Sequence, residues 1–328
     1  MDAVVACGYE SFMVGNQPPP QALFETSSDL KTLHPIPRRA LEQIVERAIE
    51  EDLGRGDITT TACVSAGQKG KVSCIARETL VWCGVSAIRE VYRQIDPEVT
   101  ASANYSDGSL VHPNSVVLEL DGKAASLLMG ERVALNLAQR MSGIATLAAR
   151  YVAQLPEKSC TRVVDTRKTT PGLRAIERYA VRCGGAHNHR EDLSSAVLIK
   201  DNHIAAAGSV SRAIFRARQY APHTSRIECE VDTLMQLDEA LDAGADMVLL
   251  DNFSTEDLME GVRRCRGKAI VEASGGVTVS QVAAIAATGV DVISVGALTH
   301  SARAIDLGFD WSLEADLDSG LDARTSVR

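Results

Sequence analysis

Between Cys160 and His300 the chain uses one turn twice. Gly244-Ala245-Asp246 runs into the apolar Met247-Val248-Leu249-Leu250, and Gly289-Val290-Asp291 runs into Val292-Ile293-Ser294-Val295. Glycine ends a helix because it accepts a left-handed backbone, and a short aliphatic run is what a strand buried on both faces looks like. A helix-to-strand turn used twice predicts a parallel α/β architecture, not a meander of hairpins. Candidate strands end at Asp165, Lys200, Glu230, Asp251, Glu272 and Gly296, and the last four intervals are roughly twenty to thirty residues, room for one crossover helix each. Ionisable or phosphate-friendly residues recur just after these strands, where a (β/α) barrel gathers its active site. A doubly wound open sheet would carry a Gly-rich fingerprint after its first strand; none follows Arg162-Val163-Val164. The barrel is the preferred architecture.

Upstream of Cys160 the grammar differs. Leu41, Ile44, Val45, Ala48 and Ile49 share one helical face, closed by Gly54. Val72 to Trp82, Val99 to Tyr105 and Val116 to Leu120 predict a small, mainly antiparallel sheet. The hairpins from Asp107 to Gly122 are similar to those of biotinyl and lipoyl carrier domains but lack the carrier lysine at the tip. A long helix from Ser126 to about Leu155, carrying Arg132 and Arg140, is expected to pack on both halves. Residues 1–34 read as a poorly ordered, uncleaved tail, 35–140 with 300–328 as a first domain, and 141–299 as the barrel domain.

A net charge of -9 argues against nucleic-acid and membrane-surface binding, which need a broad basic face. The eight cysteines form no C-x-x-C pair, which suits reduced thiols in the cytoplasm, and no apolar run is long enough to span a bilayer. Within this acidic chain, Arg167, Lys168, Arg190 and Lys200 crowd into 165–203 with His187, His189 and His203. A single such cation is most often solvated or paired with a nearby carboxylate. Placed together at one end of consecutive strands, they predict a pocket for a polyacid, the guanidiniums serving as bidentate forks. A metal held by the histidines is disfavoured, since no H-E-x-x-H or Cys/His spacing is present and the neighbouring cations would repel it. Glu230, Asp251 and Glu272 are candidates for ribose hydroxyls or Mg²⁺. Ser274-Gly275-Gly276 and Ser294-Val295-Gly296-Ala297 are candidate phosphate cradles.

These stretches resemble the quinolinate phosphoribosyltransferase family. The resemblance rests on Thr166-Arg167-Lys168-Thr169-Thr170-Pro171-Gly172-Leu173-Arg174, Asn188-His189-Arg190, Leu198-Ile199-Lys200-Asp201-Asn202-His203, Glu230-Val231 and Leu250-Asp251-Asn252. Glu272-Ala273-Ser274-Gly275-Gly276, Gly296-Ala297-Leu298-Thr299-His300, Glu51-Asp52-Leu53-Gly54 with Gly56-Asp57-Ile58-Thr59, and Glu131-Arg132-Val133-Ala134-Leu135-Asn136 extend it over about 37–310. It implies an N-terminal α/β sandwich domain and an incomplete seven-stranded α/β barrel, assembled as a homodimer or a higher oligomer of dimers. Quinolinate and phosphoribosyl pyrophosphate are the implied substrates and Mg²⁺ the implied cofactor. By position Arg167, Lys168, His189, Arg190 and Lys200 would surround quinolinate, with Arg132 supplied by the neighbouring subunit. Glu230 and Asp251 would take the ribose and its metal, and Ser274, Gly275, Gly296 and His300 would lie near the phosphates. Lys200, Glu230 and Asp251 are the implied catalytic set. Asp192 and Ser195 depart from the family pattern, which keeps open a paralogous phosphoribosyltransferase acting on a different pyridine carboxylate.

Overall fold

The computed structural model describes residues 33–313. The first half comprises α1 (Arg38–Leu53), α2 (Ile58–Cys63), β1 (Lys69–Ala76), β2 (Leu80–Val81), α3 (Val85–Ile95), β3 (Thr100–Ala103), β4 (Leu110–Val111), β5 (Val116–Lys123) and α4 (Ala124–Val152). Leu41, Ile44 and Val45 form the buried stripe of α1, and Gly54 ends it at φ 52. Strands β1, β5 and β3 pair antiparallel, as the alternation predicts. Helix α4 buries residues on every side, from Leu127 and Val133 to Ile144 and Tyr151, because it packs against the sheet layer and against the second half.

The second half comprises β6 (Arg162–Val164), α5 (Arg174–Cys183), β7 (Val197–Ile199), α6 (Asp201–Ala207), α7 (Val210–Tyr220), β8 (Ile227–Val231), α8 (Leu234–Asp242), β9 (Met247–Asp251), α9 (Thr255–Cys265), β10 (Ile270–Ser274), α10 (Val282–Ala287), β11 (Val292–Ser294) and α11 (Ala297–His300). Its strands form one parallel sheet in the order β6-β11-β10-β9-β8-β7. The seventh stave is reduced to one parallel bridge between Val164 and His187. The final strand, β12 (Leu307–Leu313), leaves the barrel and pairs antiparallel with β1 from Ala76↔Leu307 to Gly70↔Leu313.

The repeated Gly-x-Asp turns do the same work in both places. Gly244 and Gly289 adopt positive φ, 78° and 89°. The following aspartate then reaches the neighbouring strand: Asp246 accepts the Ile227 N–H at 2.8 Å and donates its own N–H to the Ile227 carbonyl at 2.9 Å. Asp291 accepts the Val271 N–H at 2.8 Å and donates to the Val271 carbonyl at 2.9 Å. Each turn thereby fixes where the adjacent strand starts, and with it which residues reach the opposite end of the sheet.

Candidate active site

Side chains on one face of a strand recur every second residue. In β8 this places Glu228 and Glu230 on one face, in β9 Leu249 and Asp251, and in β10 Ile270, Glu272 and Ser274. Val164, Ile270 and Val292 form a separate apolar cluster with Met247 packed on it. The register sets Ser274 opposite Asp251 at the rim. This corrects the expectation that Glu272 follows its strand. Glu272 lies within β10, 1% exposed, because the strand continues one inward position further to Ser274. Glu230 likewise lies within β8, not beyond it.

Every residue predicted for the acid, apart from Arg132, leaves the C-terminal end of one of three adjacent segments. Arg167 and Lys168 follow β6, His189 and Arg190 follow the His187 bridge, and Lys200 follows β7. Arg167 and Arg190 are half-buried, and the Arg167 Nε has no hydrogen-bond partner. Burial, and then the charge of Arg167, push the Arg190 guanidinium below its ordinary value. Lys200 Nζ donates to Glu230 Oε2. Arg132 is exposed on α4, with no ion-pair partner among the described residues.

The backbone of the His189 segment is pinned from below. Asp165, fully buried, accepts the His189 N–H at 2.7 Å and the Asn188 amide at 2.6 Å. Arg178 donates to the carbonyls of His189 at 2.6 Å and Arg190 at 2.9 Å. His189 itself turns inward. Its Nδ1 accepts the Arg190 N–H at 2.7 Å, so its proton sits on Nε2, 3.4 Å from both Glu228 and Glu272. One N–H therefore faces two buried carboxylates, and an oxygen of each carboxylate is left without a partner. Burial, then repulsion from Glu272, pushes the Glu228 carboxyl up to about 7. Sequence reasoning did not single out Glu228, although the alternation in Ile227-Glu228-Cys229-Glu230-Val231 carries two glutamates on one strand face. The histidine metal reading finds no support in His203, whose Nδ1 accepts the Lys200 N–H at 2.9 Å and caps α6.

On the other side, Asp251 accepts the Asn252 amide at 2.8 Å, and Asn252 holds a left-handed backbone at φ 57. Gly275, at φ 106, lies against that asparagine, and any Cβ there would collide with the Asn252 side chain. A Cβ at Gly296 would lie 3.0 Å from Lys168 Cδ and 3.1 Å from His300 Nε2, so Lys168, Gly296 and His300 converge where β6 and β11 pair. Asp192 stays outside. It accepts from the Ser194 hydroxyl at 2.8 Å and the Ser195 hydroxyl at 2.7 Å, which with the Ser194 N–H hold its carboxyl at about 2.

Residues 57–142 match the family model of the quinolinate phosphoribosyl transferase N-terminal domain, and 144–310 that of the C-terminal domain. A probable nicotinate-nucleotide pyrophosphorylase (carboxylating) of Bacillus subtilis (strain 168) is 41% identical over 273 residues, covering 83% of this chain and 94% of the relative. Quinolinate phosphoribosyltransferase (decarboxylating) 1 of Nicotiana glauca is 35% identical over 303 residues, 87% of this chain and 86% of that one. The crystal structure of NadC from Streptococcus pyogenes superposes with a TM-score of 0.82 at 38% identity, covering 86% of this chain and 100% of that chain. Both halves of the chain are thus matched over most of the length of these proteins, and the chain belongs to the quinolinate phosphoribosyl transferase family.

Proposed function

We propose that this chain transfers the phosphoribosyl group of phosphoribosyl pyrophosphate to the ring nitrogen of quinolinate with loss of carbon dioxide, giving nicotinate mononucleotide and pyrophosphate in NAD biosynthesis. The observation that carries the reading is the placement of Arg167, Lys168, Arg190 and Lys200 just after β6, the His187 bridge and β7, at one end of the sheet. Cations gathered there call for a multiply charged anion, and the family relatives bear names that specify quinolinate or its nucleotide product.

Arg167, Lys168, Arg190 and Lys200 hold the two carboxylates of the acid, and Arg132 of a second copy completes the pocket in a homodimer. His189 shapes the floor through its anchored ring, since both its nitrogens already have protein partners. Glu230 and Asp251, facing the ribose, stabilise positive charge as it develops on the sugar. Their carboxylate oxygens are hard donors of the kind Mg²⁺ takes, and that ion would neutralise the pyrophosphate it accompanies. Ser274, Gly275, Gly296 and His300 line the phosphate side. Once the ring nitrogen is ribosylated, its positive charge stabilises the carbanion left when carbon dioxide departs, a proton from solvent takes the vacated ring position, and the residues hold the ring in place. The seven described cysteines are all free, in keeping with a cytoplasmic enzyme. Asp192 accepts the Ser195 hydroxyl.

The test is turnover of the purified chain with Mg²⁺ and phosphoribosyl pyrophosphate, offering quinolinate, nicotinate and phthalate separately and following nucleotide and carbon dioxide release. Product from quinolinate alone is expected. Pyrophosphate release with another acid, and none with quinolinate, would move the assignment to a paralogous transferase.

A further inference from the structure

Arg140, on α4, belongs to neither substrate set, yet its guanidinium bonds to four residues. Its Nη2 donates to Glu177 Oε1 at 2.7 Å, to Thr170 Oγ1 at 3.1 Å and to the Thr299 carbonyl at 2.6 Å, while Nη1 donates to the Ala302 carbonyl at 3.2 Å. Glu177, fully buried on α5, accepts the Thr170 N–H at 3.1 Å with its other oxygen. Thr299 closes the ring, its Oγ1 donating to the Lys168 carbonyl at 2.8 Å. The segment that carries Arg167 and Lys168 is thus tied, through one guanidinium and one carboxylate, to the segment that carries Gly296 and His300.

We propose that Arg140, oriented by Glu177, is a positioning residue that holds the acid-binding loop after β6 and the phosphate-side segment after β11 at one fixed spacing; this deepens the function proposed above and rests on it. Stability alone does not call for such a pair, because well-packed apolar residues serve as well as a buried ion pair in most cores. What the pair supplies is direction. A planar fork with five donors serves acceptors on several segments at once, and an ammonium cannot reproduce that geometry. In phosphoribosyl transfer the first of these segments holds the acid and the second the phosphate of the sugar donor, so the spacing between them bears on the reacting distance.

Steady-state kinetics of the full chain test the proposal, with melting curves recorded alongside. Arg140→Ala is expected to melt cooperatively and to lose about 100-fold in kcat/KM, the scale of a misplacement of about 1 Å, with KM rising for both quinolinate and phosphoribosyl pyrophosphate. Added guanidinium ion at low concentration is expected to restore part of the rate, methylammonium none, and Arg140→Lys to stay impaired. Parent-like kinetics in a folded Arg140→Ala, or a loss that guanidinium does not relieve, would overturn the positioning role. Should Arg140→Ala not fold, the isosteric Glu177→Gln decides: a rise in both KM values is expected, and unchanged values count against the proposal. A parent chain inactive on quinolinate would instead refute the functional reading, and the positioning role with it.

Discussion

Lys200, just after β7, and Glu230, in the neighbouring parallel strand β8, meet as an ion pair. One is assigned to the acid and the other to the ribose side, so each already carries the other's charge before either meets its ligand. In the proposed function a carboxylate arriving at Lys200 would compete with Glu230 and free it to face the sugar. Lys200→Met and Glu230→Gln are each expected to lower kcat/KM by about 100-fold, and the double variant by much less than the product of the two. Strictly multiplicative losses would show the two side chains acting independently.

Glu272 burdens the fold as it helps to set the site. Its charge is the second cause, after burial, that lifts Glu228 to about 7, from an ordinary value of 4.5. Between those two values the folded chain holds a proton that the unfolded chain releases, so this group's contribution to stability falls as pH rises through the window. Glu272→Gln removes the repulsion, and a gain of roughly 1 kcal/mol is expected at pH about 8, shrinking by pH about 5. Thermal melts of both chains at the two pH values provide the check. A gain that is larger at the lower pH contradicts the argument. Activity is expected to fall, since His189 loses one of the two carboxylates that orient its ring.

Glu78 behaves in the opposite sense. It accepts from Arg303 Nη1 at 2.8 Å and from the Asp306 N–H at 3.0 Å, and the Arg303 bond, then that N–H, hold its carboxyl down at about 2. A depressed folded value gives stability that is present above the unfolded value of 4.5 and is lost as pH falls toward 2. Solvent reaches Arg303, which reduces the contribution to about 1 kcal/mol. Urea unfolding of the parent and Glu78→Gln should therefore differ at neutral pH and converge as pH drops. A gap that does not change with pH would locate the effect in packing.

Arg132 is exposed on α4 and unpaired among the described residues, as a side chain destined for another subunit's pocket would be. Arg132→Ala and Lys200→Ala are each expected to be inactive and folded, and mixtures in which subunits exchange should recover a fraction of the parent rate. If exchange is demonstrated and no activity returns, Arg132 acts within its own chain.

The strand grammar was readable because glycine and aliphatic runs are local signals. The task of Asp246 and Asp291 was not, since each reaches an N–H on a strand distant in sequence. The same limit explains the misplacement of Glu272. A carboxylate after apolar residues reads as the end of a strand, and only the continuation of β10 to Ser274 shows that it lies inside, against His189. Arg167, Lys168, Arg190 and Lys200 were recognisable as a set because their charge stands out in an acidic chain. Glu177 and Arg178 were not, because in Arg174-Ala-Ile-Glu-Arg-Tyr they look like the wet face of a helix, whereas both are buried. The expected seventh strand shrinks to a bridge at His187, where the backbone turns toward Asp165 for its remaining bonds. The expectations for 1–32 and 314–328 lie outside the described residues.

Strand β12 lies beside β1 although the whole barrel separates them in the chain. During synthesis, then, the first sheet emerges early with one edge open and stays so until the residues after Ile305 leave the ribosome. An unpaired edge invites pairing with other nascent chains, and contacts this distant in sequence close slowly. The barrel must fold while its neighbour is unfinished, and a message cut short between His300 and Leu307 yields a protein that has every barrel element and whose first sheet is left open to aggregation.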